Sequence, residues 1–357
     1  MGILSKIFGI KDEPKLKFEM RSNEKTGEQV PLKDVPENIQ DLLLLAVSER
    51  YKVDETEFPD YFRSEYGVED PNQHFKAMEE AGLIRIATAK ESLSNLKVVE
   101  LKDIAEKFGV NTSGKKDVLC SKIADSIPEN ELEKMVNVRC WKITNAGREL
   151  LNNNPYIEYF VGKHPYSLAS ADIDINRLHQ LVENNPSRKL RDLVWGEFNR
   201  KSLELFEESS KSRRFRSYGW LLADMALFLE EEGRYKDALA GYLKYIFYNV
   251  NYDAGLEALK QYSYSKDVND SAEHLFVLAE MLPFMNTNIQ RMSDECGFDE
   301  KQLHKFMLET FDKYSGGLLS SKDMSAFAIA GMKNDKETQK KLCKKAIRYA
   351  AKEMPKY

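Results

Sequence analysis

Residues 96–123 read LKVVELKDIAEKFGVNTSGKKDVLCSKI, and the rest of the chain is best read outward from this stretch. Leu101, Ile104, Ala105 and Phe108 recur at helical spacing and predict one apolar face. Gly109 follows, and glycine readily adopts the left-handed backbone that ends a helix. Leu119, Ile123 and Ile127 line a second helix, closed by Pro128. Two short helices sharing one apolar seam make a minimal core, marginal on its own. Between them, Thr112 and Ser113 are good N-cap types for the second helix, which places Gly114, Lys115 and Lys116 in its first turn. Free amides, the positive end of the helix dipole and two lysines then converge, and a DNA phosphate fits such a site. A capped surface helix with solvated lysines is the alternative reading of the same residues. The run Gly109 to Lys116 also fits G-x-x-x-x-G-K, but Lys116 stands where a nucleotide-binding loop needs Ser or Thr. The residues before it are helical rather than a strand, so nucleotide binding is rejected.

Upstream, Ile39, Leu42, Leu43 and Val47 predict a helix, a second covers about 56–66, and a third runs from Pro71 to Ala81. Gly82 stops the third, and Leu83 to Ile86 reads as a strand. Some fifty residues later Val138 to Thr144 reads as a second strand, and Asn145 opens a helix. The connection between the strands must therefore hold an insertion. The third helix offers Asn72, Gln73, His74 and Lys76, types that contact base edges or phosphates. Yet residues 51–80 carry nine acidic and three basic side chains, a balance that repels a duplex. A platform or protein contact is the favoured reading of that face, with base reading as the alternative.

Three helices, then GLIRI, then CWKITNAGRELL resemble a winged helix-turn-helix. Trp141, Ile143, Thr144, Gly147, Leu150 and Leu151 fill the phrase that closes it. The opening stretch is similar to the SAP motif, a two-helix DNA-binding module. The matching residues are Leu96, Val98, Leu101, Ile104, Phe108, Gly109, Val110, Ser113, Gly114, Lys115, Lys116, Leu119, Lys122 and Ile123. Cys120 stands where an aliphatic residue is usual, and Lys122 where arginine is common. The resemblance implies contact with duplex DNA through Thr112, Ser113, Gly114, Lys115, Lys116 and Lys122. It divides the first half into an N-terminal arm (1–36) and a winged-helix-like domain (37–152), with the SAP-like insertion at 93–128.

Residues 153–357 read as helical almost throughout, so the expected fold class is mainly α. Tyr218 to Tyr248, with Gly233, Tyr235 and Ala238 at the turn, resembles one tetratricopeptide repeat. Ala226 and Ala238 are small where two such helices approach. Eight aromatics between Tyr235 and Tyr264 read as a tyrosine-rich core in preference to a base-stacking platform. Residues 187–217, which include Arg213, Arg214 and Arg216, sum to +4 (nine basic, five acidic). Residues 333–357 sum to +6 (nine basic, three acidic) and predict a helix with Leu342, Ala346, Tyr349 and Ala350 inward. Each basic stretch is either a phosphate contact or a solvated face.

The whole chain has 357 residues and a net charge of −5. Leu96 to Ile127 contributes +1, so the three stretches hold +11 and the remainder −16. That excludes a uniformly basic coat and leaves room for an aimed phosphate contact. The longest aliphatic run, Leu42 to Val47, is too short to span a bilayer. Ile3, Leu4, Ile7 and Phe8 form a short amphipathic face at the N-terminus, read as a docking helix over a membrane-surface one. Four scattered cysteines and five histidines give no disulfide scaffold and no zinc set, and a reducing cytoplasm suits them. No catalytic phrase is present. The expectation is a non-enzymatic cytoplasmic protein that needs no cofactor or metal. It binds double-stranded DNA, while the helical half binds a protein partner or forms a homo-oligomer. The layout resembles SAP proteins of bacterial phages and mobile elements. A protein-interaction adaptor without DNA binding is the contrasting expectation.

Overall fold

Leu42, Leu43, Leu44, Leu45 and Val47 are all buried, so the helix they occupy is covered on nearly every side. This is α1 (Glu37–Val47), and it packs on α3 (Pro71–Glu80). The structure is a computed structural model that describes residues 37–280, 283–314 and 316–353. The N-terminal arm and its amphipathic face lie outside the described residues. Among the described residues the chain is mainly helical, with one small two-stranded antiparallel sheet. It divides into two compact units. Among the described residues, one comprises 37–169 with Asp174–Leu190, and the other includes Ser170–Ile173 with 191–353. The first unit thus runs on beyond residue 152. Among the described residues, no helix is long and apolar enough to cross a membrane.

The helix expected over 56–66 is only α2 (Tyr61–Ser64). Pro59 lacks an amide to donate, and Phe58 stays outside the helix, its ring against Tyr51, Phe62 and Phe75. Asp70 caps α3 by accepting from the Asn72 and Gln73 amides. β1 (Ile84–Ile86) pairs antiparallel with β2 (Trp141–Ile143), in the register Ile84 to Ile143 and Ile86 to Trp141. The Ala87 amide continues the ladder to the Cys140 carbonyl at 2.9 Å. On the other edge of β2, Val53 donates to Arg139 at 2.9 Å and Trp141 donates to Tyr51 at 3.2 Å.

The phrase after β2 has a physical reason. Thr144 Oγ accepts from the Gly147 amide, capping α8 (Asn145–Asn153), and its hydroxyl donates back to the Gly82 carbonyl at 2.7 Å. Gly147 lets α8 lie directly against the start of β1. A Cβ there would sit 2.3 Å from the Leu83 carbonyl oxygen.

Between the strands lies the insertion. α4 (Ala89–Ser92), α5 (Val98–Lys107), α6 (Lys116–Ser126) and α7 (Glu129–Leu132) share one apolar cluster. Leu101, Ile104 and Ala105 of α5 meet Leu119 and Ile123 of α6. Ala89, Leu93, Leu132 and Val136 close the cluster from the flanks. The helix pair is therefore not a bare hairpin, because the chain on both sides adds to its core. Phe108, expected inward, is exposed. The helix ends one residue before it, and Val110 packs against the cluster instead. Gly109, at φ +68°, forms the expected left-handed stop. Its amide donates to Glu106 and that of Val110 to Ala105, so two end carbonyls are satisfied.

The second unit is built of helical hairpins. α10 (Arg216–Glu231, after the long α9 at Leu190–Ser212) turns at Gly233 into α11 (Tyr235–Tyr248). (The short helix Ile175–Asn184 belongs to the first unit.) Gly233 has φ +69° and the same pair of closing bonds as Gly109. The close approach is made by Ala226 against Gly241, where a Cβ would meet the Ala226 Cβ at 3.0 Å. Tyr242, Tyr245, Tyr248 and Tyr252 are buried, whereas Tyr264 is exposed. Lys244 is buried with its ammonium 5.2 Å from the Tyr218 ring, and burial pulls its pKa down to about 7. In the C-terminal helix α12 (Lys336–Glu353), Cys343, Ala346, Ile347 and Ala350 face inward. Tyr349, expected inward, is exposed because the buried face is rotated toward Ile347.

Two expectations follow. Gly147→Ala should lower stability by about 1–3 kcal/mol, since backbone must move to admit the methyl group. Gly82→Ala, at φ +72° but in open space, should cost only about 1 kcal/mol. Urea denaturation of both variants would order them. The second expectation concerns Arg85, which grips Glu91 with bonds of 2.8 and 2.7 Å at the root of the insertion. The Arg85 guanidinium, helped by the Thr88 amide, pulls the Glu91 carboxyl down to about 2. A carboxyl lowered in the folded state stabilises above its ordinary pKa, near 4.3, and loses that contribution as pH falls toward 2. For so exposed a pair the contribution is about 1 kcal/mol. Arg85→Ala should therefore lower the melting temperature at pH 7 but hardly at pH 2.

Candidate nucleic-acid interface

The turn between α5 and α6 is shaped by side chains that bond to backbone. Asn111 Oδ1 accepts from the Ser113 amide at 2.8 Å. Gly114 then takes φ +119°, a conformation that side chains rarely allow. Its missing Cβ would press on Val118 Cγ1 at 3.2 Å. Finally Lys122, two turns into α6, reaches back and donates to the Ser113 carbonyl at 2.8 Å.

This geometry corrects the expected cap. The helix begins at Lys116 with Lys115 in the N-cap position, and no side chain caps it. Thr112 and Ser113 lie too early, because Asn111 and Gly114 use those positions for a tighter turn. The consequence favours anion binding. The first amides of a helix have no intrahelical acceptors, and here no hydroxyl occupies them.

Lys115, Gly114 and Ser113 are exposed, while Thr112, Lys116 and Lys122 are half-buried. Among the described residues, Lys102, Lys107, Lys115 and Lys116 form no ion pair. Asp117, in the first turn of α6, is the one acid at the helix start. The turn therefore presents Lys115 and Lys116 with uncapped amides. Lys122 holds its backbone and brings a third positive charge.

The residues of α3 have other engagements. Asn72 donates to the Glu55 carbonyl at 3.0 Å, and His74 Nδ1 lies 2.7 Å from Asp41 Oδ1. Both brace the frame. Gln73 and Lys76 stay exposed. On the second unit, Arg213 is half-buried, and Arg214 and Arg216 are exposed. Several bases of the C-terminal stretch are already paired: Lys333 with Glu300, Lys340 with Glu273 and Lys345 with Asp323.

The sequence did not single out Asn111, Arg85 or Glu91. Asn111 carried a readable signal, since Asn two residues before Ser is a turn-forming spacing. The Arg85–Glu91 bond joins a strand to a helix that the sequence left unassigned. No three His, Cys, Asp or Glu side chains among the described residues are grouped to hold a metal ion. A cavity of about 930 Å³ opens in the second unit. Its Arg291 is engaged by Glu230 and its Gln290 by Asp294.

Lys122→Met should leave the helix core intact yet release the turn. Losing one hydrogen bond of ordinary net strength should speed amide exchange at Ser113, whose amide is bonded to Asn111 Oδ1, by up to roughly tenfold. Hydrogen exchange read by NMR checks this, with amides on the Leu101 face as the internal standard.

Residues 92–127 match the family model of the SAP domain. No curated protein and no solved structure matches the chain. A SAP domain is thus present within a mostly helical protein.

Proposed function

We propose that this chain is a non-enzymatic, cytoplasmic DNA-binding protein, of the kind carried by phages or mobile elements. It contacts duplex phosphates through the turn at Thr112 to Lys116. The carrying observation is the uncapped start of α6, where Lys115 and Lys116 flank free amides inside the SAP domain. An anionic oxygen at that helix end gains both hydrogen bonds and the dipole field. Lys122 acts there by fixing the Ser113 carbonyl and by its own charge.

The frame around the SAP domain reads best as a winged helix. Three helices lead into β1, and the strand pair continues where a wing would turn. In this reading the wing has been replaced by the insertion. The acidic 51–80 face then serves as a platform rather than a base reader, consistent with Asn72 and His74 being held by bonds to the Glu55 carbonyl and Asp41. The hairpin of α10 and α11 reads as one tetratricopeptide-like unit in a half that binds a protein partner or a second copy. An adaptor without DNA binding is the contrasting reading, favoured by that acidic face.

The two readings differ in salt dependence. If phosphates are bound, duplex affinity should fall steeply as salt rises, with a log–log slope near −0.9 for each neutralised phosphate. Lys115→Glu with Lys116→Glu should remove most binding and flatten the slope by about 2. A gel-shift series across salt concentrations measures both. Unchanged binding in the double variant would defeat the assignment. Incubation with plasmid and magnesium should leave the plasmid uncut.

A further inference from the structure

The C-terminal helix α12 gathers its positive charge on one side. Residues 341–352 hold five basic side chains and no acidic one. Cys343, Ala346, Ile347 and Ala350 form the buried face, which packs on the helices Val268–Glu280 and Ser321–Met332. Lys341, Lys344, Lys345, Arg348 and Lys352 recur at intervals of three and four residues, so they line the opposite face as one row. Lys344 is half-buried and the other four are exposed.

Ion pairs leave most of this row unspent. Lys345 donates to Asp323 at 2.7 and 2.9 Å. Lys340, off the row, donates to Glu273 and sits 4.9 Å from the Phe276 ring centre. Among the described residues, Lys341, Lys344, Arg348 and Lys352 join no ion pair. Asp335 and Glu337 lie a turn or more before Lys341, and Glu353 follows Lys352 in the sequence. Asp335 accepts from the Thr338 amide and hydroxyl and also feels the charge of Lys341. Tyr349, 63 % exposed, flanks the row next to Arg348.

The chemistry of the row selects its partner. A lipid surface needs an apolar face to insert, and that of α12 is already buried in the fold. Protein interfaces are depleted in lysine and centre on desolvated aromatic or arginine anchors, whereas this row is mostly lysine. A duplex backbone asks only for positive charge at regular spacing. Lys344, Arg348 and Lys352 follow one another at a rise of about 6 Å along the helix axis. A duplex strand offers a phosphate about every 3.4 Å of its own axis, so each cation has one within reach of its flexible stem.

We propose that this face of α12 is a second phosphate-contact surface, which holds duplex DNA through Lys341, Lys344, Arg348 and Lys352. Tyr349 adds a hydroxyl donor at its margin. The proposal rests on the DNA-binding reading of the chain, but the contact is made by the second unit alone and uses no residue of the SAP domain. Contacts to phosphate carry no sequence information, so the surface adds affinity without sequence preference. Salt dependence is its signature, because each neutralised phosphate adds about 0.9 to the log–log slope.

The test uses the full chain and fluorescence anisotropy with a labelled duplex across a salt series. Lys344→Gln, Arg348→Gln and Lys352→Gln combined should weaken binding about tenfold or more at low salt and flatten the slope by roughly 3. The loss should be the same for duplexes of unrelated sequence. Lys301→Gln with Lys305→Gln, exposed lysines of the helix Glu300–Phe311, should change neither affinity nor slope. Glutamine keeps helix propensity, and thermal melts confirm that each variant is folded. Unchanged binding in the triple variant, with the loss in Lys115→Glu/Lys116→Glu present, would overturn this surface and leave the SAP contact standing. Loss in the triple variant, with none in the Lys115/Lys116 variant, would sink the SAP contact and keep this one. An equal loss in the Lys301/Lys305 variant would reduce the effect to net charge and overturn the surface. Labelled polyglutamate runs in parallel: if the triple variant loses it while duplex binding is unchanged, the face takes an acidic protein and the proposal fails. No duplex binding by wild type defeats both contacts.

Discussion

The antiparallel pairing of β1 with β2 is the constraint on which the N-terminal unit depends. Ile84 opposite Ile143, and the added bond from Ala87 to Cys140, bring the two ends of the insertion side by side. Closing so long a connection has an entropic cost that grows only slowly with length. The insertion can therefore be an entire helical module rather than a tight wing. Thr144 and Gly147 lock the far strand by tying α8 to Gly82 and Leu83. Arg85 and Glu91 lock the near one. With both ends fixed, Leu93 and Val136 can complete the core that Leu101 and Ile123 begin.

Much of this module was legible in the sequence, because apolar spacing and glycine position are local signals. Leu101, Ile104, Leu119 and Ile123 are buried where periodicity placed them, and Gly109 has the required left-handed backbone. The cap was misread for a physical reason. Several polar residues in a row can each close a turn. Asn111 and Gly114 compete for the chain before Ser113 can cap, and only the folded geometry ranks them. The inward face of the C-terminal helix was placed one position off at Tyr349, since Cys343 and Ile347 also fit a helical stripe. Flanking support from Ala89 and Leu132 was invisible, being contact across a sequence gap.

Charge was the least transparent feature. A segment's net charge counts every lysine and arginine alike, whether or not the fold pairs it. Pairing removes Arg191, Arg200, Lys201 and Lys211 from one basic stretch, and Lys333, Lys340 and Lys345 from another. Among the described residues, the bases left without an ion pair include Lys115 and Lys116 at one turn and Arg213, Arg214 and Arg216 at another. Each turn is held from below by a named bond, Lys122 to the Ser113 carbonyl and the Phe215 amide to Asp253. An overall charge of −5 is compatible with both.

The central claim is that the uncapped start of α6 receives a duplex phosphate. The most direct measurement is a titration of the isotopically labelled protein with a short duplex, followed amide by amide by NMR. The account predicts that the amides of Gly114, Lys115, Lys116 and Asp117 shift first and furthest, with those of α3 little changed. Large shifts on α3 with an unmoved Gly114 to Asp117 would contradict it.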